Sequence, residues 1–211
     1  MLAQIFTTHI NFRKRFFAWW LVRFGGVVDD LLAERKRKVF ADASGKVLEI
    51  GAGTGLNVRY IKEYSDLILL EPNPLFHRYL TIFTPNVHIN SAEQIELPDA
   101  SVDTVISSMV LCSVRDIDKA ISEVARVLKP GGTYRFIEHI GAPHGTWLRN
   151  FQHFLGPVCH CLGDGCHPDR DIEINLRNSG FEIVQIDQFE ANVNDPLIRH
   201  FVSGVLRKNN R

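Results

Sequence analysis

Val47-Leu48-Glu49-Ile50-Gly51-Ala52-Gly53-Thr54-Gly55 is the stretch that decides how the chain reads. An apolar, β-prone run passes directly into a glycine-rich turn, and residues 56–64 behind it read as a helix. Strand, glycine turn and helix N-terminus together bring a backbone close to a nucleotide-like ligand. Spacing separates the ligands. A dinucleotide fingerprint is G-x-G-x-x-G, its third glycine lying on the helix that faces the pyrophosphate. Here the third glycine arrives one residue early and Leu56 holds the dinucleotide position, so the turn suits a nucleoside cofactor without a pyrophosphate.

Outward from this turn, the chain alternates strand and helix, the pattern of an α/β fold with a mostly parallel sheet covered on both faces. The spacing predicts strands over 46–50, 67–71, 87–90, 102–109, 133–140, 181–188 and 200–206. Pro74 is placed to open a helix after the Pro72-Asn73-Pro74 turn. Residues 117–128 carry Ile117, Ile121, Val124 and Leu128 at helical spacing behind Asp116 as N-cap, and Lys129-Pro130-Gly131-Gly132 stops that helix. A further helix is expected over 169–178. Residues 141–168 fit no period and read as a long irregular connection, the kind that carries function inside a compact domain.

Upstream, residues 1–44 form a helical arm ahead of the domain at 45–211. Residues 1–24 read as a helix dense in Phe6, Phe12, Phe16, Phe17, Trp19, Trp20 and Phe24, interleaved with Arg13-Lys14-Arg15. Such a helix offers either a lid over the cofactor cleft or a peripheral contact with a membrane, rings at headgroup level and cations on anionic lipid. Gly25-Gly26 is expected to break it before a second helix over 27–40.

At 211 residues the chain suits one domain with a substantial core. Its 24 Lys and Arg balance 24 Asp and Glu, so no net charge argues for a nucleic-acid partner. Four cysteines in a chain this size read as free thiols in a reducing compartment, the cytoplasm, with a membrane surface as the second location. No run reaches the ~20 apolar residues that span a bilayer.

Ligands bind at the carboxyl ends of the strands in open α/β sheets, and four groups fall there. Gly51, Gly53 and Gly55 allow close approach of the backbone. Glu71, with Pro72 and Asn73 behind it, stands sixteen residues after the last glycine, where a carboxylate can accept both hydroxyls of a ribose. Ala92 and Glu93 follow the third strand and would line an adenine pocket, with a helix cap as the lesser reading of Glu93. Met109 and Val110 end the fourth strand with carbonyls to receive an amino group. Glu49 either touches ligand or orients the glycine turn. The set points to S-adenosylmethionine.

Glu49-Ile-Gly-Ala-Gly-Thr-Gly55, the run Ser91 to Asp103 and Glu123-Val-Ala-Arg-Val-Leu-Lys-Pro-Gly-Gly132 resemble the motifs of class I S-adenosylmethionine-dependent methyltransferases. The resemblance covers about 46–140 and implies a Rossmann-like, seven-stranded sheet whose last strand runs antiparallel. Leu21-Val-Arg-Phe24, Glu71-Pro-Asn-Pro74, Val110-Leu-Cys-Ser-Val114, Glu138-His139 and Asp164-Gly-Cys166 are similar to the methyltransferase-like 7 family, membrane-associated thiol S-methyltransferases. That family's long apolar anchor is replaced here by the basic aromatic helix. Residues 93–132 also resemble the ubiquinone and menaquinone C-methyltransferases. The implied activity is methyl transfer to a small lipophilic acceptor, a thiol first and a quinone-like ring carbon second. A non-catalytic cofactor-binding scaffold is the alternative from another class.

Transfer to a thiol requires a thiolate, and a histidine or cationic surroundings favour it. His139, at the end of the fifth strand, is the first candidate for a catalytic base, with Cys166 and His167 lining the acceptor pocket. Cys159-His160-Cys161, Cys166-His167 and His153 lack the paired knuckles of a structural zinc site, so no metal is expected from their spacing.

Overall fold

The computed structural model describes residues 12–192 and 195–210. The part of the N-terminal helix expectation that falls on residues 1–11 lies outside them. Seven strands form one sheet in the order β3-β2-β1-β4-β5-β7-β6. These are β1 Lys46–Ile50, β2 Asp66–Leu70, β3 Val87–His88, β4 Val102–Ser108, β5 Leu128–His139, β6 Glu182–Glu190 and β7 His200–Arg207. β1 pairs in parallel with β2 on one side and β4 on the other, while β7 inserts antiparallel between β5 and β6. This is the expected sheet, with the antiparallel last strand.

Strand alternation sends successive side chains to opposite layers. Leu48, Ile50, Ile68 and Val105 join Val124 of α3 (Ile117–Val127) and Leu176 of α5 (Ile172–Asn178) on one face. Val47, Leu69, Ile106 and Ile137 join Leu32 and Phe40 of α1 (Phe12–Phe40) on the other. β2 and β3 lie to one side of β1, β4 and β5 to the other, so the order reverses between β1 and β4. The register sets Ile50 opposite Leu70 and Ser107, which brings the glycine turn, Glu71 and Met109 to one edge.

Several boundaries differ from the expectations. Gly25-Gly26 does not break the arm, because α1 is one continuous helix from Phe12 to Phe40. Two interior glycines cost about 2 kcal/mol together, and burial of Leu32 and Phe40 at about 2 kcal/mol each exceeds that. A Cβ on Gly25 would press on Leu21 of the same helix at 3.0 Å and meet Leu56 only in ordinary contact at 3.9 Å, so this glycine gives the Leu21 side chain room. Asp29 fixes α1 to the turn after the glycines, accepting from Lys36 Nζ at 2.6 Å and Tyr60 Oη at 2.8 Å, and from Arg59.

The helix expected over 56–64 is only a 3₁₀ turn, Leu56–Tyr60. A segment this short has little helical stability of its own, and Ile61 is extended. Pro74 does not open the next helix. Asn73 Oδ1 accepts from Leu75 N at 3.2 Å, and this Asx-type turn delays α2 to His77–Leu80. Lys129-Pro130-Gly131-Gly132 runs inside β5 instead of separating helix from strand. Finally, residues 141–168 are not irregular throughout, since α4 spans Trp147–Leu162. Thr146 caps it by accepting from Arg149 N at 3.2 Å. Arg149 pairs in bidentate fashion with Asp171, both contacts at 2.9 Å, and Gln152 Oε1 accepts from Ala142 N at 2.8 Å. Gly156-Pro157 in the interior obscured the helix in sequence.

Candidate active site

At the carboxyl edge of β1, Gly51, Gly53 and Gly55 all have φ between 54° and 81°. A Cβ on Gly51 would stand 2.5 Å from Val110 Cγ2, so the turn reaches the end of β4 only as glycine. Leu21 of α1 lies 3.2 Å from where a Gly53 Cβ would be. α1 therefore passes directly over the glycine turn.

Glu71 is buried just beyond β2. Its Oε2 accepts from Gly53 N at 2.9 Å and its Oε1 from Asn73 N at 2.7 Å. Burial raises its pKa to about 7 against these two donors, which act the other way. Each oxygen keeps lone-pair capacity for a ligand hydroxyl. Asn73 is buried, with Nδ2 donating to Lys14 O at 3.3 Å, and Lys14 Nζ donates to Pro72 O at 3.3 Å. The Glu71-Pro72-Asn73 turn is thus tied to α1.

Glu49 faces the α1 side. Its Oε1 accepts from Asn57 Nδ2 at 2.7 Å while Oε2 has no protein partner. Burial raises this carboxyl to about 7 as well. Its one contact is with the segment behind the glycine turn, the arrangement of a residue that orients the loop. Ala92 is buried beside the sheet edge, and the Glu93 carboxylate accepts from Asp116 N at 2.8 Å, immediately before α3. Met109 adopts φ 59°. Its carbonyl accepts from Cys112 Sγ at 3.6 Å and that of Val110 from Ser113 N at 2.9 Å. Each carbonyl oxygen retains a second lone pair.

Glu138 organises this turn and was not singled out as a site residue from sequence. Its Oε2 accepts from Val110 N at 2.7 Å and Leu111 N at 3.0 Å, and its Oε1 from Ser107 Oγ at 2.7 Å. Burial pushes its pKa up to about 8. The available signal was an acidic residue directly after the apolar pair Phe136-Ile137 near a strand end, comparable to Glu49 between Leu48 and Ile50.

His139 ends β5 and is buried, as is Cys112. Its Nε2 lies 3.3 Å from Cys166 Sγ, and the ligand atoms of Cys112, His139 and Cys166 all fall within 4.8 Å of one another. His139 Nδ1 has no protein partner. Hydrogen bonding from Cys166 holds the Cys112 thiol well below its usual range, and the same contact raises Cys166. Burial alone would lower His139, but its electrostatic and hydrogen-bond interaction with Cys112, with Glu138 adding to it, raises it overall. His167 turns elsewhere: Nε2 meets His160 Nδ1 at 3.1 Å, and only its backbone N–H reaches Cys112 O, at 2.9 Å. Cys112 was quoted from sequence only within a motif and given no role, because it stands 27 residues from His139.

The edge therefore has two poles. Over β1 and β2, a Cβ-free turn and a buried carboxylate with spare acceptor capacity fit a polyhydroxylated, positively charged nucleoside such as S-adenosylmethionine. Over β4 and β5 stands a group of soft nucleophilic side chains.

Comparison with known proteins bears on this arrangement. The family described as methyltransferase domain matches residues 48–136. The human thiol S-methyltransferase TMT1A is 32% identical over 208 residues, covering 90% of this chain and 85% of the relative. The human thiol S-methyltransferase TMT1B is 34% identical over 174 residues, covering 74% and 71%. Among solved structures, a SAM-dependent methyltransferase from Thermotoga maritima shares the fold with a TM-score of 0.66 at 19% identity, over 94% of this chain and 100% of the other. The chain belongs to the S-adenosylmethionine-dependent methyltransferases, in the family of the thiol S-methyltransferases TMT1A and TMT1B.

Proposed function

We propose that this enzyme transfers a methyl group from S-adenosylmethionine to the sulfur of a small lipophilic thiol. The observation that carries the reading is the pairing of poles on one sheet edge, with the Cys112–His139–Cys166 group beside the strand ends that hold the glycine turn. Similarity to thiol S-methyltransferases along most of the chain supports the choice of acceptor.

When bound, the cofactor would supply an electrophilic methyl on a sulfonium, open to in-line attack by an acceptor sulfur with the donor's thioether as leaving group. The chain contributes alignment and electrostatics. Gly51, Gly53 and Gly55 would admit the donor's amino-acid portion, Glu71 would take its ribose hydroxyls, and Ala92 and Glu93 would border its base. Glu49 and Glu138 hold the loops after β1 and β4 through Asn57 and through the Val110 and Leu111 amides. α1 covers the glycine turn through Leu21 and excludes water. On the acceptor side, His139 and its neighbours favour the thiolate form of the substrate.

The same reading includes a peripheral membrane contact through residues 1–24, which would bring lipophilic acceptors to the site. Support comes from α4, whose Trp147, Phe151, Phe154, Val158 and Leu162 form an exposed stripe. Trp147 is 73% and Phe154 77% exposed. Arg13 ties α1 to this helix by donating to Cys161 O at 2.9 Å and to His160 O. Cations beside apolar rings suit an anionic lipid surface. Sedimentation with anionic liposomes should fall on deletion of residues 1–24, and full-length protein that never sediments removes this element.

A screen with labelled cofactor against alkyl thiols, quinols and small phenols tests the acceptor. Labelled thioether is expected. Label in quinol carbon alone overturns the thiol, and no heat of binding with S-adenosylmethionine overturns the enzyme reading altogether.

A further inference from the structure

The Cys112–His139–Cys166 group differs from the histidine and cysteine run around residues 153–167, whose spacing spoke against a zinc site. Its members come from three separate segments, so no local spacing announces them. Among the described residues it is the group whose ligand atoms converge. A zinc ion bonded to sulfur at about 2.3 Å and to imidazole nitrogen at about 2.0 Å sets neighbouring donors of a tetrahedron about 3.5–3.8 Å apart. The three donors here lie within 4.8 Å of one another, with His139 Nε2 and Cys166 Sγ at 3.3 Å. The widest separation thus exceeds that of a tetrahedral site by about 1 Å at most.

The donors are also held in place. The turn carrying Cys112 is pinned by Glu138 at Val110 N and Leu111 N, and by Arg170 Nη1 donating to Leu111 O at 2.8 Å. His139 is fixed in β5 by its pairing with Phe201 of β7. Cys166 lies in a turn closed by its own N–H on Gly163 O at 3.1 Å, and the adjoining His167 N–H binds Cys112 O. Two thiolates and an imidazole are soft and borderline donors that favour zinc over magnesium or calcium. Three protein ligands leave one position open, as in catalytic rather than structural zinc sites.

We propose that Cys112 Sγ, His139 Nε2 and Cys166 Sγ bind a zinc-type divalent ion whose open fourth position takes the acceptor's sulfur. The second half of this rests on the thiol-acceptor reading; the metal site itself does not. The two cysteines lose their protons as the ion binds. An incoming thiol ligates as thiolate and releases one proton to solvent. The thiolate lone pair then forms the new carbon–sulfur bond, while the electron pair of the methyl–sulfonium bond leaves with the donor sulfur. Nothing is oxidised or reduced. His139 is then a ligand, and the metal instead of a free imidazole supplies the thiolate at neutral pH.

Full-length protein purified without chelator, and apo-protein reloaded with cobalt(II), test the site. Elemental analysis should find about one zinc per chain, and cobalt should give a thiolate-to-metal charge-transfer band with tetrahedral d–d bands. Cys112→Ser, Cys166→Ser and His139→Ala should each reduce bound metal at least tenfold, while the Cys159→Ser/Cys161→Ser double variant retains it. Circular dichroism checks the fold of each variant. Absence of the charge-transfer band in folded wild-type protein overturns the proposal whether or not the variants fold. So does a Cys112–Cys166 disulfide that persists under reducing purification, or metal that follows Cys159 and Cys161. Adding an alkyl thiol should perturb the cobalt bands. Metal binding without thiol methylation would sink the thiol reading and leave the site. Thiol methylation at full rate by metal-free protein would leave the thiol reading and overturn the metal's role as ligand of the acceptor sulfur.

Discussion

Replacing Glu49 by Gln should stabilise the protein at alkaline pH and do almost nothing at acid pH. Glu49 is fully buried, one of its carboxylate oxygens has no partner, and its pKa is raised from 4.5 to about 7 mainly by loss of solvent. The sign follows from proton counting. Between these two values the folded chain holds a proton that the unfolded chain has released, so folding stability falls as pH rises through this window. The contribution is fully present below about pH 4.5 and lost above about pH 7. At about 1.4 kcal/mol for each tenfold change, the gap is worth about 3 kcal/mol by pH 8. Gln carries no charge and lacks this slope. It does bury an amide N–H₂ where the unpartnered oxygen stood, at about 1 kcal/mol. The net gain at pH 8 is about 2 kcal/mol, or roughly 4–8 °C in a domain of this size. At pH 5 the proton-linked gain is under about 1 kcal/mol and the amide cost cancels it. Urea unfolding of both proteins at pH 5, 6, 7 and 8 reads this directly. A Glu49→Gln variant that loses stability with pH as steeply as wild type, or is weaker at pH 8, would show that the carboxyl is not held neutral by burial.

Other perturbations follow from single contacts. Gly51→Ala places a Cβ 2.5 Å from Val110 at a left-handed φ; it should cost about 1–3 kcal/mol of stability and reduce cofactor affinity at least tenfold by calorimetry. Glu71→Gln should weaken cofactor binding most at pH 8: the wild-type carboxyl, raised to about 7, ionises across that range and its affinity for hydroxyls should climb from pH 6 to 8, whereas the amide's should stay flat. Arg149→Ala removes a bidentate pair and leaves Asp171, so it should lower the midpoint of thermal unfolding by an amount corresponding to about 1–3 kcal/mol and expose α4 to proteolysis first.

The fold was legible where burial and period agree. β1, β4 and α3 fall within a residue or two of their expected bounds, and Asp116 caps α3 as read, accepting from Lys119 N at 3.0 Å. Elements decided by tertiary contacts were not. Nothing local in Gly25-Gly26 says that Asp29 and Tyr60 will hold the helix against the 3₁₀ turn. α4 read as irregular because Gly156-Pro157 interrupts it and because its apolar side chains face solvent while buried Gln152 faces in, so pattern and burial disagree. The site was half legible for the same reason. A glycine turn and the carboxylate at the next strand end are spaced by the βαβ unit itself, and sequence interval is a proxy for their distance. Cys112, His139 and Cys166 meet only because β4 and β5 are neighbours and the α4 connection folds back over them, and intervals of 27 residues say nothing about that.

The three carboxyls at this edge share a logic that no single one shows. Glu49, Glu71 and Glu138 stand at or just beyond the ends of β1, β2 and β5, and each is buried and raised to between about 7 and about 8. Ordinary folding would replace them with apolar residues, since their ionisation costs stability as pH rises. Each holds a loop in place through backbone or Asn57 donors, which an apolar side chain could not do. A cationic ligand at this edge stabilises their charged forms and so recovers part of that cost. The methyl donor carries a sulfonium charge and the demethylated product does not, so the same edge should bind donor more tightly than product, with the preference growing as the carboxyls ionise. Thermal shift measured with donor and with demethylated product at pH 6 and pH 8 tests this: the donor's shift should increase with pH relative to the product's. Equal shifts at both pH values would mean that these carboxyls shape the loops and take no part in discriminating charge.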